Sequence, residues 1–452
     1  MQFNSFQEAI DYLMLTRRSR VKERGLDENT RNLAPTRNLL LATGLLDNKS
    51  REYCVVTGSK GKGSTATLTA KLLEALDHKT GLITSPHMRV WNERIRMNGK
   101  AIPEEDFARI LGELVPFVET EVNKLEGQQY IGPQGLFLLI ALRWWDEQGV
   151  TAAVLEVGRG GRFDDMSLMP NMVSLFTPIF MEHARYLGNS LERIAWHKSG
   201  IIKPHSYAYS VAQDPVVLEI LKKEADTQDA EFYWFSKKDI GQYVEDIPNG
   251  LRFNYGRYGD LDLPFYGHYQ IENATLAIQA AGNMHNRLKG ISHNSPEYVE
   301  RIKQGLASAR WPGRVHKLQD KPAVYVDGAI NVLSAQEFLD SLETRITHPL
   351  VIIAGVPKDR YYDKVYKIYG NAADTLILTE SDIHPNMPFP EAEEALSTAK
   401  KYNDDVYHRK TLPEALELAY EKAGQDGTIL MGVAQSLVGE SLIIWDVDMQ
   451  QI

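Results

Sequence analysis

The feature that most constrains this chain is a glycine-rich run, Gly58-Ser59-Lys60-Gly61-Lys62-Gly63-Ser64-Thr65, set between an apolar stretch and a helical pattern. Tyr53 to Thr57 reads as a buried strand, and Leu68, Leu72, Leu73 and Leu76 recur at helical spacing behind the run. A strand that turns through glycines into a helix lets backbone N–H groups converge on phosphate oxygens. The start of the helix adds a field that favours anions. In that setting Lys62 neutralises β/γ-phosphate charge and Ser64 offers a hydroxyl to Mg²⁺. The run departs from the strict GxxxxGK[ST] pattern, because Gly63 stands between the lysine and the serine. All eight residues are candidates for binding nucleotide phosphate.

The rest of the chain repeats the strand–helix alternation. GLITSP (81–86), TAAVLEV (151–157) and NMVSLFTPI (171–179) read as strands, 103–122 as a helix opened by Pro103, and 5–45 as a polar helical region. After residue 320, PAVYVDG, PLVIIAG, DTLILTE and GTILMG read as strands separated by helical stretches. This predicts an α/β protein with mostly parallel sheets. A chain of 452 residues allows two to four domains. RWPGR (310–314) breaks the helical pattern of 296–309, which divides the chain into domains 1–308 and 312–452.

Composition narrows the function classes. Acidic residues outnumber basic ones, 60 to 50, for a net charge of -10, against the basic excess of nucleic-acid binders. The single cysteine, Cys54, excludes an intrachain disulfide and a cysteine-based zinc cluster, and fits a reducing compartment. The first residues lack a basic and apolar leader, and no stretch approaches 18 consecutive apolar residues. A cytoplasmic protein without membrane or nucleic-acid partners is expected.

Several ordered segments resemble one family. TGSKGKGSTA is similar to the TGTNGKGS loop of folylpolyglutamate and dihydrofolate synthases, a branch of the Mur ligases. SPHMRVWNERIRMNGKAI (85–102), LEVGRGGRFD (155–164), EHARYLGNSLERIAWHKSGIIKP (182–204), GHYQIENATLAIQAA (267–281), WPGR (311–314), DGAIN (327–331) and MGVAQSLVGE (431–440) follow in the family's order. The resemblance implies a P-loop NTPase-like central domain of the Mur type and a Rossmann-like ligase domain after it. It implies an ATP-dependent acid–amino-acid ligase of one-carbon metabolism, working through an acyl phosphate. The partners would be a small carboxylic acid and an amino acid, and a monomer is expected.

The same resemblance assigns site residues. Lys62, His183 and Lys198 become the catalytic group. Ser64, Glu156, His183 and a carbamylated Lys198 become ligands of two Mg²⁺ ions. Imidazole is not a preferred magnesium ligand, so His183 rests on the resemblance alone. Asn273 is placed on adenine, with His268 and Gln270 beside it. Arg314 is placed on phosphate, where a planar guanidinium suits oxyanions, and Asp327 on ribose. His197 stands where the family has glutamate and reads as a surface residue or one behind the site.

Departures cluster elsewhere. Ile330 replaces the histidine of DGAHN, and isoleucine has no donor, acceptor or charge. IGPQGLF (131–137) lacks the acid of a TxFE-like run, RFDDMSLM (162–169) replaces RLDATN, and Lys60 replaces the loop asparagine. They leave three readings open: a folylpolyglutamate or dihydrofolate synthase, a paralogous ligase for another acid, or an inactive nucleotide-binding partner subunit.

Overall fold

The computed structural model describes residues 2–18, 25–46, 50–289, 295–381 and 388–452. Eight strands make the first sheet: β1 (Glu52–Thr57), β2 (Thr80–Ile83), β3 (Ile95–Met97), β4 (Lys100–Ala101), β5 (Ala152–Glu156), β6 (Val173–Phe176), β7 (Tyr207–Val211) and β8 (Glu231–Phe235). Their order is β4-β3-β2-β5-β1-β6-β7-β8, parallel except at β3 and β4. β1 is buried on both faces. Tyr53 and Val55 enter one core, while Cys54 and Val56 enter the other. That is why it reads as a continuous apolar run rather than an alternating one.

The second core is completed by two helices. Lys62–Ala75 packs against Tyr269–Lys289 through Leu68, Leu72, Ala274, Ala277 and Ala281. Behind the first sheet, the helix Pro133–Gln148 starts with proline in its first turn and stops at Gly149, whose φ is 70°. Of the region 5–45, Phe6–Arg18, Asp27–Thr30 and Ala34–Ala42 are helical, and 19–24 lie outside the described residues.

A three-stranded antiparallel sheet, β9 (Gln242–Ile247), β10 (Gly250–Asn254) and β11 (Asp260–Leu263), extends this half. The parallel expectation overlooked it, although Pro248-Asn249-Gly250 is a hairpin signal between two β-prone runs. The helix Pro296–Ala307 then gives way to Trp311-Pro312-Gly313. The final sheet holds β12 (His316–Gln319), β13 (Ala323–Asp327), β14 (Leu350–Gly355), β15 (Thr375–Leu378), β16 (Val406–His408) and β17 (Thr428–Val433). Its order is β12-β13-β17-β14-β15-β16, parallel except at β12. Among the described residues no helix is long and apolar enough to cross a membrane.

Candidate functional site

β1 and β5 lie side by side with Val56 opposite Glu156, so the glycine-rich loop and the Glu156 carboxylate leave the sheet together. The carboxyl ends of parallel strands are where open α/β sheets bind ligands. Gly58 turns the chain at φ 147°, and any side chain there would collide with Thr177. Gly61, at φ 82°, opens the helix, and a Cβ on it would sit 2.5 Å from Asn273 Oδ1. Both positions therefore require glycine.

Two lysines meet beneath the loop. Lys62 Nζ donates to the carbonyls of Gly58 at 2.9 Å and Ser59 at 3.4 Å. Lys198 Nζ donates to the same Gly58 oxygen at 2.7 Å and to Glu182 Oε1 at 2.9 Å. Lys198 ends the helix Leu191–Ser199 and its side chain is 1% exposed. Burial pushes its ammonium down to about 8, against the pull of Glu182. His183 follows Glu182 at a left-handed φ of 50°, with Nε2 3.7 Å from Glu182 Oε2. Burial pushes its imidazole down to about 4, so it is neutral at physiological pH, the form that ligates metals.

Glu156 is buried, and its Oε2 accepts the Ser85 N–H at 2.8 Å. Burial raises its carboxyl pKa, opposed by Lys62, that N–H and Arg314. Its Oε1 lies 3.6 Å from where a side chain at Gly63 would begin. The nearer neighbour of such a side chain is Trp311, at 3.0 Å, so glycine between Lys62 and Ser64 lets the helix start lie close against that ring. Ser59 is spent on structure: its N–H donates to Pro178 O at 2.7 Å, and its hydroxyl exchanges hydrogen bonds with Phe180.

A cavity of about 370 Å³ opens over the loop and reaches across to the second sheet. Ser59 to Ser64, Glu156, Asn273, Arg314 and Asp327 line it. Gly58, Thr65 and Lys198 are buried behind this wall, whereas His183 is exposed beside Glu182. Asn273 is already engaged: its Oδ1 accepts from Thr65 Oγ1 at 3.0 Å, and its Nδ2 donates to Gln270 Oε1 at 2.9 Å. Asp327 ends β13 and accepts the Val315 N–H at 2.8 Å, beside Arg314. Lys60 reaches 3.5 Å from Glu337 on the opposite helix Val332–Asp340. Ile330 and Leu333 form an apolar part of the wall. Among the described residues no three metal-binding side chains converge into a preformed centre.

One expectation is corrected, and one left open is narrowed. His268 does not line the cavity. It is exposed and packs on Tyr243 at 4.2 Å, while Tyr269, where the helix begins, takes the inward place. His197 is not at the surface. Its ring is 1% exposed, against Phe163 and Trp196, and its carbonyl accepts the Arg162 N–H.

A second cavity, about 230 Å³, shares Gly158 with the first. Trp91, Arg94, Gln134, Arg159, Phe163 and Asp164 face it. Arg94 lies over Trp91 at 4.7 Å and Phe137 at 5.0 Å, and Arg159 pairs with Asp27 at 2.6 Å and covers Tyr186 at 3.7 Å. Arg94, Arg159 and Trp91 were not singled out by sequence reasoning. The usable signal was Arg159 itself, where the similar family segment carries leucine. Asp165, in the divergent RFDDMSLM run, bonds Arg31 and Thr36, each at 2.7 Å. That departure ties the chain internally and does not face the cavity.

Comparison with known proteins agrees with this architecture. Residues 56–281 match the Mur ligase middle domain, and residues 313–432 match the Mur ligase, glutamate ligase domain. The folylpolyglutamate synthase of Lacticaseibacillus casei is 31% identical over 368 residues, 80% of this chain and 82% of that one. The dihydrofolate synthase/folylpolyglutamate synthase of Bacillus subtilis is 29% identical over 343 residues, 74% of this chain and 77% of that one. Among solved structures, Mycobacterium tuberculosis folylpolyglutamate synthase complexed with ADP shares the fold, with a TM-score of 0.82 at 24% identity and 98% coverage of both chains. Thermotoga maritima folylpolyglutamate synthase gives 0.81 at 25% identity, covering 98% of this chain and 97% of that one.

Proposed function

The chain belongs to the folylpolyglutamate synthase and dihydrofolate synthase family of Mur ligases, and from that premise we propose how its residues join glutamate to a folate-type acid at the expense of ATP. The observation that carries the reading is the meeting of two cavities at Gly158, the larger of them lined by the phosphate loop and Glu156. ATP takes the larger cavity, its phosphates over the helix start at 61–65. The acid takes the smaller one, its aromatic part against Trp91 and Phe163 and its anionic end near Arg94.

A carboxylate oxygen of the acid attacks the γ-phosphorus, the bond to the β-phosphate oxygen breaks, and ADP leaves an acyl phosphate. The glutamate amine then attacks the acyl carbon, loses a proton, and expels phosphate. Positioning and charge neutralisation are the protein's main contributions to phosphoryl transfer. Lys62 must exchange its loop carbonyls for phosphate oxygens, and Arg314 adds a second cation from the linker side. Closure of the two halves excludes water that would hydrolyse the acyl phosphate.

Ser64, Glu156 and the neutral His183 are the donors we assign to Mg²⁺, with Lys198 as a carbamate serving a second ion. Ser64 and Glu156 line the same cavity, which supports the fit, since Mg²⁺ takes few protein oxygens and completes its shell from phosphate and water. Bound there, the metal neutralises charge on the transferring phosphate. Lys198 as it stands fits an ammonium between two acceptors, so a carbamate would need that added positive charge beside Glu182. The residue domains 1–308 and 312–452, a monomer and a cytoplasmic setting complete the proposal.

Phosphate release measured with folate and pteroate acids crossed with amino acids tests it. Release that requires both a folate-type acid and glutamate is expected, and release only with an unrelated acid would reassign the substrate. Ile330 gives a finer prediction. An apolar side chain in a wall where the similar motif carries histidine removes a hydrogen-bonding partner, and such losses shift discrimination strongly. Weaker pteroate and glutamate use than is usual for the family is expected. Ile330→His should move the glutamate KM or kcat more than ATP affinity. Steady-state kinetics with each substrate varied decides this, and ordinary family efficiency in the unmodified protein would contradict it.

A further inference from the structure

The two halves are joined at a second place besides the linker. Residues 447–452, from the second half, lie along the β3–β4 hairpin of the first. The carbonyls of Val447 and Met449 accept from Arg89 at 2.6 Å and Arg96 at 2.7 Å. The Ala101 N–H donates to Gln450 O at 2.8 Å, the Ile452 N–H to Gly99 O at 3.1 Å, and Lys100 bridges Gln451. Asn92, 2% exposed, donates through Nδ2 to both Ile102 O at 3.0 Å and Gln450 Oε1 at 2.9 Å.

The same segment reaches back in the other direction. Met88 belongs to the first half yet is buried in the apolar core of the second, with Val326, Leu437 and Val438. A side chain on Gly439 would fall on the Met88 carbonyl oxygen, so the helix Gln435–Ile444 can approach only because that position is glycine. Gln435 Nε2 also donates to the His87 carbonyl at 3.2 Å. Between these anchors runs the turn 88–94, whose N–H groups at Met88, Arg89 and Val90 are gathered by the buried Glu93 carboxylate. That turn presents Trp91 and Arg94 to the smaller cavity. Contacts from the second half therefore grip both ends of the element that shapes the acid pocket.

We propose that Gln450 and Gly439 are positioning residues for the acid substrate, acting through residues 88–101, so that acid binding senses how the second half is docked. The proposal rests on the smaller cavity being the acid site. Its test is steady-state kinetics of the full chain with tetrahydrofolate, glutamate and MgATP. Gln450 is exposed, so its replacement leaves the cores intact. Loss of one hydrogen bond predicts that Gln450→Ala raises the tetrahydrofolate KM about threefold to tenfold, while the ATP KM and kcat stay within about twofold. Gln450→Glu keeps the accepting oxygen and should restore the KM. Gly439→Ala should raise it further. Trp91→Ala serves as the control on the cavity itself. If Trp91→Ala leaves the tetrahydrofolate KM unchanged, the acid-site reading fails. If it raises that KM while Gln450→Ala leaves it unchanged, or shifts all constants alike, the positioning role is overturned.

Discussion

Lys62→Ala is expected to abolish turnover. Removing one well-placed electrostatic group costs about 10²–10³ in rate, and Lys62 is the loop cation that can exchange two carbonyls for phosphate oxygens. The side chain is half-buried at a helix start, so its removal opens no core. The thermal midpoint should therefore stay close to that of the unmodified protein while single-turnover phosphate release collapses. Turnover within a few-fold of the unmodified protein would remove the loop from the phosphate site.

Lys198→Ala is expected to lose activity on a similar scale, about 10²–10³, and acetate or formate should restore part of it. The logic is chemical. A neutral lysine amine adds to CO₂ and loses a proton to become a carbamate, an oxygen donor in place of an ammonium. Burial that lowers this ammonium to about 8 increases the share of neutral amine available for that addition. A small carboxylate can refill the space left by the alanine. Lys198→Arg keeps a cation but cannot form a carbamate, so it should stay inactive and unrescued. An active arginine variant, or a bicarbonate-supplied crystal of active protein with an unmodified Lys198, would assign the residue as an ammonium held between Gly58 and Glu182.

The parallel strands and the phosphate loop were legible in the sequence because both are local patterns. β1, β5 and β6 are buried on both faces and appear as mainly apolar runs. The loop needs only eight consecutive residues. The smaller cavity has no such local signature. Its lining comes from Met14, Asp27 and Arg31, the 91–94 turn, the start of the helix at Pro133, and 158–164. No spacing rule joins segments so far apart. The exchange of His268 for Tyr269 is a one-residue matter of where the helix begins, the least legible kind of boundary. Lys60 and Glu337 are separated by 277 residues and meet only because the two halves face each other across the nucleotide cavity. His197 was left open between the surface and a place behind the site, because its burial depends on Phe163 and Trp196 enclosing it.

The central claim is that a carboxylate of the acid attacks ATP directly, with the two cavities meeting at Gly158. Isotope transfer tests it most directly. The acid is prepared with ¹⁸O in its reacting carboxylate and incubated with MgATP and glutamate, and the released phosphate is analysed by mass spectrometry. An acyl phosphate predicts one labelled oxygen in each phosphate, because the attacking oxygen leaves with it when the amine displaces it. Phosphate released without label, in step with product formation, would contradict the account.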